Sequence, residues 1–491
     1  MPRLPYRLGS LIAAAPLLLV GCGGKGTTDL GAGVVADAST PAAPKPAAPT
    51  PAASTPAASE DRKPGEQTTP DRRIDTDKAV DIIKGEVRGG EADAGPTPMS
   101  FLEERPDPRA IRDEPFEIAV PVGLPPVAAV IPLYNPMTKG KVELGRQLYF
   151  DQRISRDGTV SCASCHDPVK GWTDNLKTSV GIGRQVGSRN APTVLNTVYG
   201  RTMFWDGRAP TLEGQAQGPI QNKIEMGDQS YREIVERLRA ISGYREQFHR
   251  VFGTDVTLDG MAKAIAAFER TALTGNSPYD RYALGDPEQP QTFKKLTEKQ
   301  KRGMVLFGLR LHDDDPFKVD AALLRKANCT ACHAGSNFTD EQFHNLGVGF
   351  DEKKGEFADL GRWVVTPIGS KSEADRGSFK TPTIRDISRT APYMHDGSEG
   401  TLEQVVELYN KGGNKNPSLD GDMKPLNLTA AEKSDLVEFM KALTGETAVV
   451  PLPRLPAGPD GRSPDPREAL NSPEARTAAD LGEVHRLAVA R

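Results

Sequence analysis

Apolar residues recur along the middle of this chain at the spacing of helices. Leu258, Met261, Ile265 and Phe268 follow one another at intervals of three and four, which traces one face of an α-helix. Thr429-Ala-Ala-Glu432 is a capping box, in which a hydroxyl and a carboxylate satisfy amide groups that a helix leaves open at its start. Behind it Leu436, Phe439, Met440 and Leu443 keep the period, and Gly445 stands near the expected end. Thr401-Leu-Glu-Gln404 is a second box. Its helix carries Leu402, Val405, Val406 and Tyr409 at i, i+3, i+4 and i+7, so Tyr409 is expected to face inward. Alternating, strand-like runs are few and short. The pattern predicts an all-α fold with long irregular loops.

The periodic pattern holds from about Leu124 to Val450 and fades on either side. After Cys22 the chain runs through Ala, Pro, Thr and Ser, as in Thr40-Pro41-Ala42-Ala43-Pro44-Lys45-Pro46, and then through a charged, apolar-poor stretch to about Pro115. Such composition cannot bury enough apolar surface to offset the entropy of ordering. Residues 23–118 are therefore expected to be a disordered tether, and residues 451–491, rich in proline and charge, a disordered tail. Inside the body, Gly145-Arg-Gln-Leu148-Tyr149-Phe150 is echoed by Arg302-Gly303-Met304-Val305-Leu306-Phe307. Each closes an apolar segment and leads into a loop. The echo predicts two tandem domains of one type, 124–288 and 289–450, each of ordinary size. A net charge of −4 gives no basis for nucleic-acid binding.

The first residues differ again. Arg3 and Arg7 precede an apolar run from Leu11 to Val20, which ends in Leu19-Val20-Gly21-Cys22. A basic start and a short apolar core make a secretory signal, residues 1–22, too short for a stable membrane span. The small residue before Cys22 resembles a bacterial lipoprotein cleavage site. Cys22 is then the lipidated N-terminus of a periplasmic, membrane-anchored protein. An ordinary cleaved signal, with Cys22 a bystander, would also export the chain.

The chain has five cysteines, and the four beyond Cys22 form two copies of Cys-x-x-Cys-His: Cys162-Ala-Ser-Cys165-His166 and Cys329-Thr-Ala-Cys332-His333. This is the attachment signature of c-type haem. Two thiols reach the two vinyl groups of one porphyrin edge, and the adjacent imidazole reaches the iron. A zinc knuckle would draw four ligands from paired knuckles, whereas each motif here already ends in its own His. A redox dithiol expects a thioredoxin-like βαβ setting, which the pattern lacks. Two covalent haems are expected, with Cys162, Cys165, Cys329 and Cys332 as attachment points and His166 and His333 as iron ligands.

With the haems in place, further segments become legible. Asn190-Ala-Pro192-Thr193 follows the first motif, then Phe204-Trp205-Asp206-Gly207-Arg208, Gln215, Pro219 and Glu225-Met226-Gly227. Ala391-Pro392-Tyr393-Met394-His395-Asp396-Gly397 follows the second. In this order the series resembles the bacterial di-haem cytochrome c peroxidase superfamily, in its MauG-like branch. The resemblance implies cytochrome c-like haem domains and a reaction with hydrogen peroxide at the His166 haem. It further implies Glu225 as the distal carboxylate that moves the proton, and Gln215 and Pro219 as distal-pocket residues. Trp205 would be the relay between haems. Many members carry a distal His that must move away on activation. Ile182 stands in its place here, and an alkyl side chain cannot ligate iron, which implies an open iron at rest. Asn190, Thr390 and Pro392 match the family's calcium site, with a side-chain amide and carbonyl oxygens as ligands.

The sixth ligand of the His333 haem is a Met in conventional members. Counting from His395, the family's ligand position falls on Tyr409, as in MauG. A phenolate on ferric iron is an anionic, hard donor that favours the oxidised states. Met394, Met423 and Met440 are the competing ligands. His395 is expected to be structural or to bond near the haem. Trp172, Trp363, His249, His312, His344 and His485 are read as packing or surface residues.

The implied function is that of a MauG-like peroxidase. It would store oxidising equivalents as high-valent haem iron and spend them on a small electron-donor protein or a protein substrate. A conventional cytochrome c peroxidase that clears peroxide is the nearest alternative. A non-catalytic electron-transfer cytochrome would need both irons six-coordinate, which Ile182 and Glu225 argue against. A tethered redox sensor is permitted but not indicated by the long N-terminal segment.

Overall fold

The computed structural model describes residues 107, 109, 111–283, 295–313 and 315–470. The signal, Cys22, most of the expected tether, His485 and residues 471–491 lie outside the described residues. The body is mostly helical. Its N-terminal half runs α1 (Lys139–Phe150), α2 (Cys162–Cys165), α3 (Leu212–Gln217), α4 (Tyr231–Arg239), α5 (Ser242–Phe252) and α6 (Leu258–Glu269). The C-terminal half runs α7 (Pro278–Ala283), α8 (Glu298–Phe307), α9 (Arg362–Val365), α10 (Leu402–Asn410) and α11 (Ala430–Lys441). Among the described residues, strands form three short antiparallel pairs. They are β1 (Thr274–Gly275) with β6 (Glu446–Thr447), β2 (Phe343–His344) with β5 (Phe379–Lys380), and β3 (Phe350–Asp351) with β4 (Glu356–Phe357). Both expected capping boxes form, Thr401 with Gln404 and Thr429 with Glu432.

Two buried clusters organise these helices. In the first, α1 lays Leu144, Leu148 and Tyr149 against Met261, Ile265 and Phe268 of α6, the stripe expected from the sequence. In the second, Met304, Leu306 and Phe307 of α8 meet Leu436, Phe439 and Met440 of α11. The two helix pairs share one contact. A β-carbon at Gly145 would lie 1.9 Å from the Ala264 carbonyl oxygen, and one at Gly303 would lie 1.9 Å from the Asp435 carbonyl oxygen. Only glycine lets backbones meet this closely. The ring of Tyr149 then meets Phe268 edge-on at 5.1 Å, and Phe307 meets Phe439 at 5.3 Å.

Both expected ends of the body move outward. Asp107 N donates to Gly253 O at 2.9 Å, Arg112 N to Arg250 O at 2.9 Å and Phe116 N to Met137 O at 3.1 Å, so the chain is pinned to α5 and α1 well before Leu124. At the other end the boundary expected at Val450 is corrected, because residues 451–470 pack on the body. Arg146 donates to Pro451 O, Arg153 Nη2 donates to Pro456 O at 3.0 Å, and Leu455 and Leu470 are buried. The turn Pro466–Leu470 lies against α2. Average composition hid a few apolar anchors spaced among prolines, whose fixed φ lowers the cost of ordering them. Among the described residues no helix is long and apolar enough to cross a membrane.

Overpacking a tight helix crossing costs roughly 1–3 kcal/mol. Gly145→Ala and Gly303→Ala should each lose at least that much unfolding free energy in denaturant titrations. A loss within about 0.5 kcal/mol, the range of neutral surface changes, would contradict the close backbone contact.

Candidate functional site

Each Cys-x-x-Cys-His segment is wound into a single turn. In α2, His166 N donates to Cys162 O at 2.9 Å; in the second motif, His333 N donates to Cys329 O at 2.9 Å. One helical turn brings the two sulfurs to the same side and throws the imidazole off the end. The four thiols are unpaired. Burial pushes those of Cys165 and Cys329 up to about 12 and that of Cys162 up further still. Both imidazoles are shifted down by burial, so they are neutral, the form that binds a metal. His333 Nδ1 donates to Phe338 O at 3.1 Å, which leaves Nε2 with a bare lone pair. His166 keeps a buried Nδ1 with no hydrogen-bond partner.

A cavity of about 580 Å³ opens at the second motif, lined by Cys329, Cys332, His333, Trp205, His395 and Tyr409. That volume lies within the ~300–1,000 Å³ of sites that enclose cofactor-sized molecules. Two thiols, a neutral imidazole with a free nitrogen and a mostly apolar cavity fit a c-type haem. Tyr409 faces this cavity from α10, as its place in the helix period required. Burial, then the neighbouring sulfurs, push its phenol well above the usual range. Met394, Met423 and Met440 line the same cavity, so each competing donor named above is present there.

Near the first motif, the backbone at Ile182 is clamped to the loop that carries Glu225. Ile182 N donates to Ile224 O at 3.0 Å and to Glu225 O at 3.3 Å. Gly181 packs so closely that a β-carbon there would sit 1.8 Å from Ile224 O. Glu225 is felt electrostatically by both Cys162 and Cys165. Its carboxyl is raised by burial, against the pull of Arg208 and Arg189. Gln215, in α3, and Pro219, in the turn Gly218–Gln221, are half-buried just before this loop in the chain.

Trp205 joins the two regions. Its Nε1 donates to Asn190 O at 2.9 Å, and its carbonyl accepts from Lys380 N at 2.8 Å. Behind it, Asp206 bonds Arg189 at 2.7 Å and Arg208 at 2.9 Å, and Arg189 also binds Asp359 at 2.7 Å. Asp206 and Arg208 belong to one short motif, but Asp359 lies 170 residues from Arg189, so the cluster was not legible in the sequence. Asn190 Nδ2 donates to Leu176 O at 2.8 Å, leaving Oδ1 as an acceptor. Asn190, Thr390 and Pro392 line the large cavity together.

His344, read from sequence as a packing residue, also lines that cavity. Its ring nitrogens bond Asp420 at 2.7 Å and Asp340 at 2.9 Å. The Cys332 thiol, then those carboxylates, push it up to about 10. Its one sequence signal is Asp340 four residues before it. His395 is buried and stacked on Phe379 at 3.5 Å, and burial pulls it down to about 4. Trp172 packs in the core against Tyr149, whose hydroxyl donates to His166 O at 2.8 Å. Trp363 lies under Arg376 and Lys371.

Comparison with known proteins agrees with this geometry. The family model of the di-haem cytochrome c peroxidases matches residues 139–288. The methylamine utilization protein MauG of Methylorubrum extorquens is 42% identical over 327 residues, covering 66% of this chain and 84% of that protein. The cytochrome c551 peroxidase of Nitrosomonas europaea is 38% identical over 333 residues, covering 67% and 86%. Among solved structures, a MauG-like protein associated with microbial copper homeostasis superposes with a TM-score of 0.57 at 33% identity, covering 67% of this chain and 96% of that one.

Replacing Cys162 and Cys165 together by Ala, or Cys329 and Cys332 together, should each halve the covalent haem per chain in a pyridine haemochrome assay. An unchanged haem content in either double variant would refute the assignment of that motif.

Proposed function

The chain belongs to the di-haem cytochrome c peroxidase family, and from that membership we propose how its residues divide the work. It is a MauG-like oxidoreductase that takes hydrogen peroxide and a protein donor or substrate. Reducing peroxide to two waters consumes two electrons and two protons. When bound, the two c-type haems supply redox-active iron, one centre with a face open to peroxide and a pair able to hold both oxidising equivalents. Two domains of one type hold them, one around each of the glycine-crossed helix pairs, α1 with α6 and α8 with α11.

His166 and His333 hold the irons as neutral imidazoles. Ile182 offers no ligand atom and would therefore leave the iron held by His166 accessible to peroxide without prior reduction. Glu225 takes the proton from the near peroxide oxygen and returns it to the departing one. The observation that carries this reading is the loop itself: Glu225 acts electrostatically on both Cys162 and Cys165, from backbone clamped to Ile182. Gln215 donates a hydrogen bond in that pocket and Pro219 shapes it. Trp205, pinned through Asn190 and Lys380, relays oxidising power between the haems. Tyr409 would offer the iron held by His333 a hard phenolic oxygen, which would favour the oxidised states. Oδ1 of Asn190 with the carbonyls of Thr390 and Pro392 holds a calcium ion that stiffens the region around Trp205. Lipidation at Cys22 anchors the protein to a membrane facing the periplasm. The donor is a small electron-transfer protein or a protein substrate oxidised in place.

The carboxylate form of Glu225 accepts the proton, so the rate with peroxide should fall as pH drops through its raised value, above the ordinary carboxylate range. Glu225→Gln should remove that inflexion and slow the reaction by roughly 10²–10⁴-fold; a rate and pH profile unchanged by Gln would contradict the role. Tyr409→Phe should abolish the low-spin signal of the second haem in low-temperature electron paramagnetic resonance. Its survival would point instead to sulfur from Met394, Met423 or Met440, which line the same cavity, and to a conventional peroxidase.

A further inference from the structure

The loop that carries Glu225 is built on one residue that nothing above employs. The backbone carbonyl of Asn222 accepts from Met226 N at 3.2 Å, Gly227 N at 2.9 Å and Asp228 N at 3.2 Å. Its side-chain Oδ1 accepts from Ile224 N at 2.9 Å and Glu225 N at 3.2 Å. Its Nδ2 donates to Glu225 Oε1 at 3.0 Å. Asn222 thus fixes the backbone before and after Glu225 and one of the two carboxyl oxygens. The turn has little slack: a β-carbon at Gly227 would lie 2.6 Å from Ile182 Cδ1 and 2.8 Å from Arg156 Cβ.

An amide NH₂ donates and cannot accept. A carbonyl oxygen is a better acceptor than a carboxylic hydroxyl, so with Asn222 donating to Oε1 the proton settles on Oε2 and Oε1 is the carbonyl-like oxygen of neutral Glu225. We propose that Asn222 is a positioning residue that reserves Oε1 as a standing acceptor, so that Glu225 takes up and gives back its proton through Oε2 alone. A proton that arrives at and leaves from the same oxygen needs no rotation of the carboxyl between the two halves of the transfer. The inference rests on the reading of Glu225 as the proton-handling group.

Asn222→Asp separates this role from the shape of the loop. Aspartate keeps an oxygen to accept from Ile224 and Glu225, but it replaces the donor to Oε1 with a second anion. Asn222→Ala removes both functions. The test is the pH dependence of cyanide binding to the haem-loaded ferric protein, followed by absorbance, because hydrogen cyanide must also surrender a proton to bind. Wild type should show an acid inflexion that Glu225→Gln removes. Asn222→Asp should move it upward by about one pH unit or more, since a like charge and a lost donor both disfavour the carboxylate; Asn222→Ala should move it upward by less. An inflexion that depends on Glu225 and stays put in both Asn222 variants would overturn the inference and leave the role of Glu225 standing. No Glu225-dependent inflexion in wild type would overturn both. A second reading needs no Asn222 variant. The infrared carbonyl band of protonated Glu225, identified by its absence in Glu225→Gln, should lie below that of a free carboxylic acid. A band at the free position would equally overturn the inference.

Discussion

Everything at the haem motifs depends on two places where helix backbones touch. At Gly145 against Ala264, and at Gly303 against Asp435, no side chain fits between the helices. These contacts fix where α1 and α8 end, and so where each Cys-x-x-Cys-His segment begins. Tyr149, four residues past Gly145, packs on Phe268 and hands its hydroxyl to the carbonyl of His166. Past Gly303, the carbonyls of Val305 and Leu306 accept from Arg325 N and Ala327 N, which ties the approach to Cys329 onto the end of α8. A weakly packed core would leave two thiols and an imidazole without the fixed edge that a porphyrin needs.

The electrostatics then divide the two regions by task. Burial keeps both ligand imidazoles neutral, and it raises the carboxyl of Glu225 above its ordinary value. The arginines that oppose that shift, Arg189 and Arg208, are themselves bound to Asp206, next to Trp205. One charge cluster therefore acts on Glu225 and adjoins the residue proposed to relay electrons. Around the other motif, Asp340 and Asp420 hold His344 at the cavity wall. Once Cys332 is a thioether its thiol no longer acts on that ring, and the two carboxylates remain as its hydrogen-bond partners.

Much of this was legible in the chain because its cause is local. Capping boxes, the stripe on α6, the inward turn of Tyr409 and the spacing of the haem motifs each depend on residues a few positions apart. The Gly145 and Gly303 echo was visible as a short repeat, though its meaning, a backbone contact, was not. What escaped was non-local. Asp359 meets Arg189 from 170 residues further along the chain, and His344 meets Asp420 from another loop. The packed segment after Val450 was masked by its proline content, although Leu455 and Leu470 anchor it. Asn222 escaped for a different reason: an isolated Asn in a polar loop carries no pattern, and its importance lies in how many bonds it makes to one neighbour.

The central claim is an iron centre open to peroxide without prior reduction, beside a second centre that shares the oxidising equivalents. Mixing the diferric protein with stoichiometric hydrogen peroxide in a stopped-flow spectrometer tests it most directly. The account predicts a prompt spectral change at both haems with no reductant present. An unchanged spectrum, or a change that appears only after one haem has been reduced, would contradict it.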